Sequence, residues 1–132
     1  MGYLLDTDVC IELLHGNQVA VKKLRSVPSG QVVLCSIVEA ELLTGAIKSS
    51  EASALGNTRA FISTFPVLTF SSASASRYAT IRADLERRGL PIGPNDLLIA
   101  AIAAEHGLML ATANVREFSR VAGLVVEDWT KP

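Results

Sequence analysis

The strongest pattern along the chain is a set of short apolar runs in which hydrophobic residues follow one another without alternation. Strands with one face in water alternate apolar and polar residues, whereas strands buried on both faces are continuously apolar. The runs therefore predict five buried strands. They cover residues 3–5, 31–35, 65–70, 108–111 and 124–126.

Helical segments fill the spaces between these runs, and glycines or prolines mark several of their ends. The segment 97–106 has almost no polar face, which predicts a buried helix. Residues 90–95 are rich in proline and glycine and predict a loop. The predicted helices cover residues 7–14, 18–26, 36–48, 51–64, about 72–88 after a cap at Ser71 or Ser72, and 97–106, with a helical turn at 115–120.

Short polar side chains at the predicted helix starts can accept hydrogen bonds from unpaired backbone N–H groups. Thr7 or Asp8 is the predicted cap of the first helix, and Asn17 is the predicted cap of the second. Ser36 is the predicted cap of the third, and Glu39, three residues on, completes a capping box.

The alternation of strands and helices predicts the fold class. Parallel strands need long crossover connections, which are usually helical. We therefore predict an α/β fold: a three-layer α/β/α arrangement with a central, mostly parallel sheet. The 132 residues fit a single domain, 1–132, without internal repeats or a linker.

Composition narrows the classes of function. The 12 Lys and Arg and 13 Asp and Glu give a net charge of −1, which excludes a uniformly basic nucleic-acid-binding surface. Cys10 and Cys35 are too few for a disulfide framework, and their apolar neighbours indicate buried thiols in a reducing compartment. The apolar run 97–104 is too short for a membrane span, and the N-terminus lacks a signal-peptide pattern. We expect a soluble, cytoplasmic protein that does not insert into membranes.

Acidic and polar residues follow several of the predicted strands or open the helices after them. In open parallel sheets, ligands bind outside the carboxyl ends of the strands. Side chains from separate segments should therefore meet at one edge. The candidates are Asp6, Asp8, Glu39, Glu41, Asp96, Thr112, Asn114 and Glu117.

Carboxylates that lie close together repel one another, and a proton or a cation must relieve the repulsion. Mg²⁺ prefers oxygen ligands, keeps several waters and needs one or two direct carboxylates. Zinc and iron fit poorly because the chain has no His or Cys cluster. Mg²⁺ in such a site can activate water and stabilise charge on a phosphoryl group, which is the chemistry of phosphodiester cleavage. The expected cofactor is Mg²⁺, with Mn²⁺ as a substitute.

Each acid also has a simpler interpretation. Asp6, Asp8 and Asp96 can serve merely as charges at helix starts. Glu39 and Glu41 are two residues apart and point to nearly opposite sides of a helix, so one of them at most enters the site. The small and apolar helical neighbours of Glu41 favour Glu41, whereas the capping box accounts for Glu39.

Four arginines are candidate RNA contacts. Arg116 and Arg120 flank the predicted acidic edge. Arg87 and Arg88 end the long polar helix, where they suit either a solvated helix terminus or a phosphate backbone.

Five segments, in order and at matching spacing along essentially the whole chain, resemble the PIN-domain ribonucleases, in particular the VapC-type toxins of type II toxin–antitoxin pairs. No single motif is decisive, but five motifs in register are strong support for the resemblance. The segments are LLDTDVCI at 4–11, SIVEAELLTG at 36–45, GPNDLLIAA at 93–101, ATANVREF at 111–118 and GLVVEDW at 123–129.

The resemblance implies a small α/β/α fold and a Mg²⁺-dependent endoribonuclease that cleaves structured RNA such as tRNA or rRNA by a metal-activated water. It also implies a homodimer and an antitoxin whose peptide occupies an apolar groove and blocks the site. Asp6 and Asp96 would bind the metal. The catalytic set would be Asp6, Glu41, Asp96, Thr112, Asn114 and Glu117.

The chain departs from the family pattern at two places. Asn114 stands where the last acid is expected, with Glu117 as the acid nearby, which leaves a second metal open. Asp8 stands where Asn is common, and its role is open.

Two alternatives belong to other classes. Asp6 and Asp8 after an apolar strand are similar to the nucleophile motif of haloacid dehalogenase-like phosphatases, in which the first Asp is phosphorylated. The later motifs of that family are missing here. The other alternative is a catalytically inactive RNA- or protein-binding domain of the same fold.

Overall fold

One or two helices separate each strand from the next along residues 2–132, the part of the chain that the computed structural model describes. The strands are β1 (Tyr3–Leu5), β2 (Val32–Cys35), β3 (Val67–Leu68), β4 (Met109–Ala111) and β5 (Val126–Glu127). The helices are α1 (Thr7–Leu14), α2 (Gln18–Ser26), α3 (Ser36–Lys48), α4 (Ala54–Ser63), α5 (Ser72–Arg88), α6 (Pro94–His106) and α7 (Val115–Phe118).

The five strands form one sheet in the order β3-β2-β1-β4-β5. Every pairing is parallel, with Leu4 opposite Val33 on β2 and Leu110 on β4. The predicted three-layer α/β/α fold is confirmed. The chain runs outward from β1 to β3 on one side and then returns to β4 on the other side of β1. The order therefore reverses beside β1, where open parallel sheets bind their ligands.

The core lies on the three central strands. Leu4, Leu5, Leu34 and Leu110 are fully buried, as continuous apolar strands require. Helix α6 has more buried residues than any other helix in residues 2–132, and five consecutive residues from Ile99 to Ala103 are inaccessible to solvent. The predicted buried helix is confirmed. No helix in residues 2–132 is long and apolar enough to cross a membrane.

The N-terminus of α1 differs from its prediction. Asp6, not Thr7 or Asp8, is the N-cap: its backbone is extended and its side chain accepts the N–H of Thr7. Only Asp6 separates the end of the strand from the start of the helix, so Thr7 and Asp8 are already in the first turn. Asp6 thus both caps the helix and faces the end of the sheet.

The predicted capping box of α3 is wrong. The helix begins at Ser36, and the N-cap is Cys35, which makes no side-chain capping hydrogen bond. The extended backbone of β2 continues through Cys35, so Ser36 is inside the helix and Glu39 has no cap to complete. The caps at Asn17 and Ser71 are confirmed by their hydrogen bonds to the N–H groups of Ala20 and Ser74.

Several element bounds are also corrected. Helix α6 starts at Pro94, inside the predicted loop 90–95, because proline suits the first helical position, where no N–H partner is needed. Helix α4 is shorter than the predicted 51–64. Strands β3 and β5 have two residues each, and β5 begins where the predicted strand 124–126 ends. Edge strands of this length are common protection against pairing between chains.

Candidate active site

The sheet corner, which we define as Asp6, Asp8 and Thr112, lies where β1 and β4 end side by side. Asp6 follows β1 and is 4% exposed, and Thr112 follows β4 and is fully buried. The Thr112 hydroxyl donates a hydrogen bond of 2.7 Å to Oδ2 of Asp6, and the Thr7 N–H donates one of 2.8 Å to Oδ1. The pairing of the two strands therefore fixes where the Asp6 carboxylate points.

Asp8 turns its carboxylate from the first turn of α1 to the same corner. Its Oδ2 accepts the N–H of Ala113 at 3.1 Å and lies 3.4 Å from the Thr112 hydroxyl. That hydroxyl has one hydrogen, and the shorter contact with Asp6 uses it. Within residues 2–132, Oδ1 of Asp8 is buried and has no hydrogen-bond partner. A buried carboxylate oxygen without a partner is costly, and a cation or an ordered water would satisfy it.

Glu41 reaches the site from α3. Its Oε1 accepts the Thr7 hydroxyl at 2.6 Å, and its Oε2 accepts the side-chain amide of Asn95 at 3.3 Å. Thr7 and Asn95 are the sequence neighbours of Asp6 and Asp96. Glu41 is therefore tied to both halves of the site through residues adjacent to the other two acids.

Glu39 points elsewhere. It lines a separate cavity with Leu43, Arg59 and Phe65. The two glutamates of α3 face different sides of the helix, as their spacing predicts, and Glu41 is the one beside the other candidate acids.

The turn corner, which we define as Gly93, Asp96, Asn114 and Glu117, lies where the loop after α5 enters α6. Gly93 is the N-cap of α6 and Asp96 is in its first turn. The Gly93 N–H donates to Oε1 of Glu117 at 2.6 Å, and the Asn114 side-chain amide donates to Oε2 at 2.9 Å. A Cβ built on Gly93 would lie 3.6 Å from both Oδ2 of Asp96 and Oε1 of Glu117. The two carboxylates therefore border the same small space.

The carboxylates influence one another across the two corners. Burial and repulsion from Asp8 raise the pKa of Asp6 to about 7, and Asp96 adds to that repulsion. Burial, Glu117 and Glu41 raise the pKa of Asp96 to about 6. Glu117 behaves oppositely, because hydrogen bonds from Gly93 and Asn114 lower its pKa. The site thus concentrates negative charge that is only partly neutralised by hydrogen bonds.

These residues suit a hard divalent cation. No three His, Cys, Asp or Glu side chains in residues 2–132 come close enough to enclose a metal by themselves. Mg²⁺ does not need such a cage, because it binds through one or two carboxylates and retains its waters. The mutual repulsion of the acids and the unpartnered Oδ1 of Asp8 are both features that a cation would relieve. The donor set therefore fits Mg²⁺ and offers no nitrogen or sulfur for zinc.

Three contributors to this geometry were not among the predicted site residues. Thr7 and Asn95 hold Glu41, and the N–H of Gly93 holds Glu117. Thr7 and Asn95 are next to predicted acids, which is the one signal in the sequence that could have indicated them. A backbone N–H gives no sequence signal, so the role of Gly93 was not predictable.

Two of the predicted RNA-contacting arginines are engaged within their own helix. Arg87 and Arg88 pair with Asp84, with N···O distances of 2.8 and 2.5 Å. Asp84 therefore binds both guanidinium groups on the outer surface of α5.

The other two differ from each other. Arg120 donates to the backbone oxygen of Pro91 at 2.8 Å, and Arg88 donates to the backbone oxygen of Arg120 at 2.6 Å. Arg116 is exposed beside the turn corner. Arg116 is therefore the better placed of the four for an outside ligand.

Two cavities open beside Glu41. The larger has about 740 Å³ and runs along α3 past Ala40, Thr44, Gly45 and Lys48. The smaller has about 400 Å³ and lies between α1, α3 and α4, with Ile11, Leu14, Leu42 and Ala46 among its lining residues. One cavity thus ends near a lysine, and the other combines an apolar patch with polar side chains.

Comparison with known proteins defines the class of this fold and site. A family model of the PIN domain matches residues 3–124. It spans β1 to the last turn before β5, including all the candidate acids.

Individual relatives narrow the class further. The chain is 37% identical over 131 residues to the tRNA(fMet)-specific endonuclease VapC of Shigella flexneri, with 98% of this chain and 99% of that protein covered. It is 34% identical to Ribonuclease VapC2 of Rickettsia felis, covering 99% of this chain and 100% of that one. The crystal structure of VapBC2 from Rickettsia felis bound to a DNA fragment from their promoter has a matching chain with a TM-score of 0.91 and 32% identity, covering 98% of this chain and 99% of that one. The chain therefore belongs to the PIN-domain family and, within it, to the VapC ribonucleases.

Proposed function

We propose that this protein is a Mg²⁺-dependent endoribonuclease toxin that cleaves structured RNA. The observation that carries the proposal is the convergence of Asp6, Glu41 and Asp96, from three separate segments, at the switch point of a parallel sheet. The family favours this function over a phosphatase that uses Asp6 and Asp8.

Asp6 and Asp96 are the proposed metal ligands. Glu41 and Glu117 complete the acidic pocket through waters, and Thr112 and Asn114 orient carboxylates by hydrogen bonds. The contacts of Thr112 with Asp6 and of Asn114 with Glu117 support these roles.

The chemistry is divided between the metal and the chain. When bound, Mg²⁺ supplies positive charge that stabilises the phosphoryl group during cleavage. The chain aims the Asp6 carboxylate through hydrogen bonds from Thr7 and Thr112, and it places Glu41 and Asn95 at the border between the site and the larger cavity. The pocket of acids repels phosphate in the absence of the cation, so RNA binding and metal binding should be coupled.

The larger cavity along α3 is the proposed path of the RNA strand. Lys48 lines it about two helical turns beyond Glu41, a separation of about 10 Å at 1.5 Å per residue. Gly45, between them, has nothing within 4 Å of a Cβ built on it, so the path stays open there. Lys48→Gln should raise KM a few-fold with kcat unchanged, and Lys22→Gln on α2 is the matched control.

The expected substrate class is tRNA or rRNA. The Shigella flexneri relative is named as tRNA(fMet)-specific, which supports tRNA as the first substrate to test. The small net charge of −1 favours a selective nuclease, since sequence-independent affinity for RNA comes mostly from cationic charge.

The expected protein partners are an antitoxin and a second copy of the chain. The smaller cavity is lined in part by Ile11, which is 40% exposed, and by Leu14, Leu42 and Ala46, and this apolar patch suits apolar side chains of a peptide from an antitoxin. It shares Glu41 with the larger cavity, so a peptide bound there would lie beside the site and block it. The structure of VapBC from Salmonella typhimurium, bound to DNA, has a chain 35% identical to this one with a TM-score of 0.90.

The decisive test is cleavage of purified tRNA and total RNA by the purified protein in Mg²⁺. We expect endonucleolytic products that disappear with EDTA and return with added Mg²⁺ or Mn²⁺. Asp96→Asn should lower the rate by at least about a thousandfold, with an unchanged circular dichroism spectrum. Cleavage that survives EDTA, or that Asp96→Asn leaves intact, contradicts the proposal.

A second experiment separates a toxin from an inactive binding domain. Expression of the wild-type chain should arrest bacterial growth, and expression of Asp96→Asn, with an unchanged circular dichroism spectrum, should not. Equal arrest by both would mean that toxicity does not depend on the acidic site.

A further inference from the structure

The loop that precedes α6 is held from outside by two side chains near the end of α7. Arg120 donates to the backbone oxygen of Pro91 at 2.8 Å, and Glu117 accepts the N–H of Gly93 at 2.6 Å. The two clamped residues are two apart in the loop, and the two clamping residues are three apart in sequence. The loop is therefore attached to the end of α7 at Pro91 and at Gly93.

The two clamps are themselves connected. The N–H of Arg120 donates to the backbone oxygen of Glu117 at 3.1 Å, and Arg88 from the end of α5 donates to the backbone oxygen of Arg120 at 2.6 Å. Arg88, the last residue of α5, is therefore bonded to Arg120, and Arg120 and Glu117 contact the loop. Arg120 is at the centre of this network, with its guanidinium directed to the loop and its backbone oxygen to Arg88.

What the loop carries is Asp96. Gly93 is the N-cap of α6 and has no side chain with which to cap it, and its backbone oxygen accepts the N–H of Leu97 at 2.9 Å. Asp96 lies one residue before Leu97, in the turn that this bond closes. A displacement of Pro91–Gly93 would therefore rotate the first turn of α6 and move the carboxylate.

We infer that Arg120 is a positioning residue: it holds the loop Pro91–Gly93, and through the loop it aims Asp96, without contacting RNA. This rests on the proposed function in that Asp96 is taken as a metal ligand. It replaces the expectation that Arg120 binds RNA, whereas Arg116, exposed nearby, keeps that expectation. Arg116 and Arg120, four residues apart, are therefore assigned different roles: Arg116 contacts RNA and Arg120 positions the loop.

The first test uses no metal and no RNA. Amide hydrogen exchange of Gly93 and Leu97, followed by NMR, reports directly on the loop. Arg120→Gln should accelerate the exchange of both amides by at least about tenfold, and Arg25→Gln, at the exposed end of α2, should leave them unchanged. Unchanged exchange in Arg120→Gln overturns the inference.

The second test separates positioning from RNA binding. Mg²⁺ alone is titrated against the melting temperature, and kcat and KM are measured on tRNA. Arg120→Gln should weaken Mg²⁺ binding and lower kcat, each on the order of tenfold, with KM within about twofold. Arg120→Lys, which retains a donor for the backbone oxygen of Pro91, should recover most of the Mg²⁺ affinity and most of kcat. Arg116→Gln should raise KM and leave Mg²⁺ affinity unchanged.

The outcomes are distinguishable. A raised KM with normal kcat and Mg²⁺ affinity in Arg120→Gln overturns the inference and makes Arg120 an RNA contact. If Arg120→Gln fails to fold, Arg120→Lys decides. A positioning role predicts that the Gly93 amide exchanges faster in Arg120→Lys than in the wild type, and an RNA contact predicts an unchanged exchange rate. If the wild type neither binds Mg²⁺ nor cleaves RNA, the proposed function fails, and a fast-exchanging Gly93 in Arg120→Gln would still establish the mechanical link.

Discussion

The sheet corner and the turn corner carry the same chemical groups but are held by different parts of the fold. In the sheet corner, Asp6 and Thr112 follow paired strands and are almost completely buried. In the turn corner, Asp96 comes from a helix start and Glu117 from a four-residue helix. The backbone N–H of Gly93 and the side-chain amide of Asn114 donate the hydrogen bonds that hold Glu117. One half of the site is therefore fixed by the core, and the other by a few local bonds.

The difference has an energetic consequence. Loss of the Thr112–Asp6 hydrogen bond should lower stability and activity together, because that bond is buried at the ends of two central strands. Damage to the turn corner should inactivate the protein with a smaller loss of stability, because the hydrogen bonds that Glu117 accepts there are only partly buried. The following predictions test that separation, beginning with the largest expected effect.

Thr112→Val should be the most damaging change to stability. It leaves Oδ2 of Asp6 buried without its donor, and we expect the free energy of unfolding to fall by about 2 kcal/mol, measured by urea denaturation. Thr112→Ser keeps the hydroxyl and should lose less than half of that. A Thr112→Val protein as stable as wild type would show that the Thr112–Asp6 bond does not support the sheet corner.

The pH dependence of the metal effect comes next. The pKa of Asp6 is about 7, above its usual value, so the folded state binds the proton more tightly and the metal-free protein loses stability as pH rises from about 4 to about 7. Mg²⁺ requires the ionised acid. The rise in melting temperature produced by Mg²⁺ should therefore be nearly absent at pH 5 and fully developed at pH 8; a rise independent of pH would contradict this.

Asp8→Asn sharpens the comparison within the sheet corner. It removes a charge whose Oδ1 has no partner in the described residues, so the metal-free protein should melt at a higher temperature at pH 8. The same change should weaken Mg²⁺ binding on the order of tenfold, as loss of an outer carboxylate does. Isothermal titration with Mg²⁺ and melting curves without it give the two numbers, and loss of stability without metal would contradict the assignment.

Asn114→Ala should have the smallest effect on stability and a clear effect on activity. It removes the donor to Oε2 of Glu117, and we expect a loss of about 0.5–1 kcal/mol. The rate of RNA cleavage should fall about tenfold, because a small misplacement of a catalytic group is costly. Asn114→Asp, which has no donor when ionised, is the matched control and should be at least as slow as Asn114→Ala.

The same contrast explains what the sequence could predict. The sheet corner was predictable because apolar runs reveal strand ends, and Asp6 and Thr112 follow such ends. The turn corner was predictable in composition but not in geometry. The spacing of Asn114 and Glu117 does not indicate that both carboxylate oxygens of Glu117 accept hydrogen bonds from the protein.

Local caps were the least predictable part of the fold. Ser36 and Glu39 match a capping box, yet the strand before them continues through Cys35, which is the N-cap in place of Ser36. Pro94 looked like part of a loop, yet it opens α6. At Cys35 the pairing of β2 with β3, which no local pattern contains, decides the boundary. At Pro94 the fit of proline to the first helical position decides it.

The brevity of the outer strands β3 and β5 limits how the molecule can be inhibited. With two residues each, they offer too short a template for a peptide that joins the sheet by backbone hydrogen bonding. A synthetic blocker should therefore be an amphipathic helix that fills the cleft between α1, α3 and α4, and extended strand mimetics are a poor starting point.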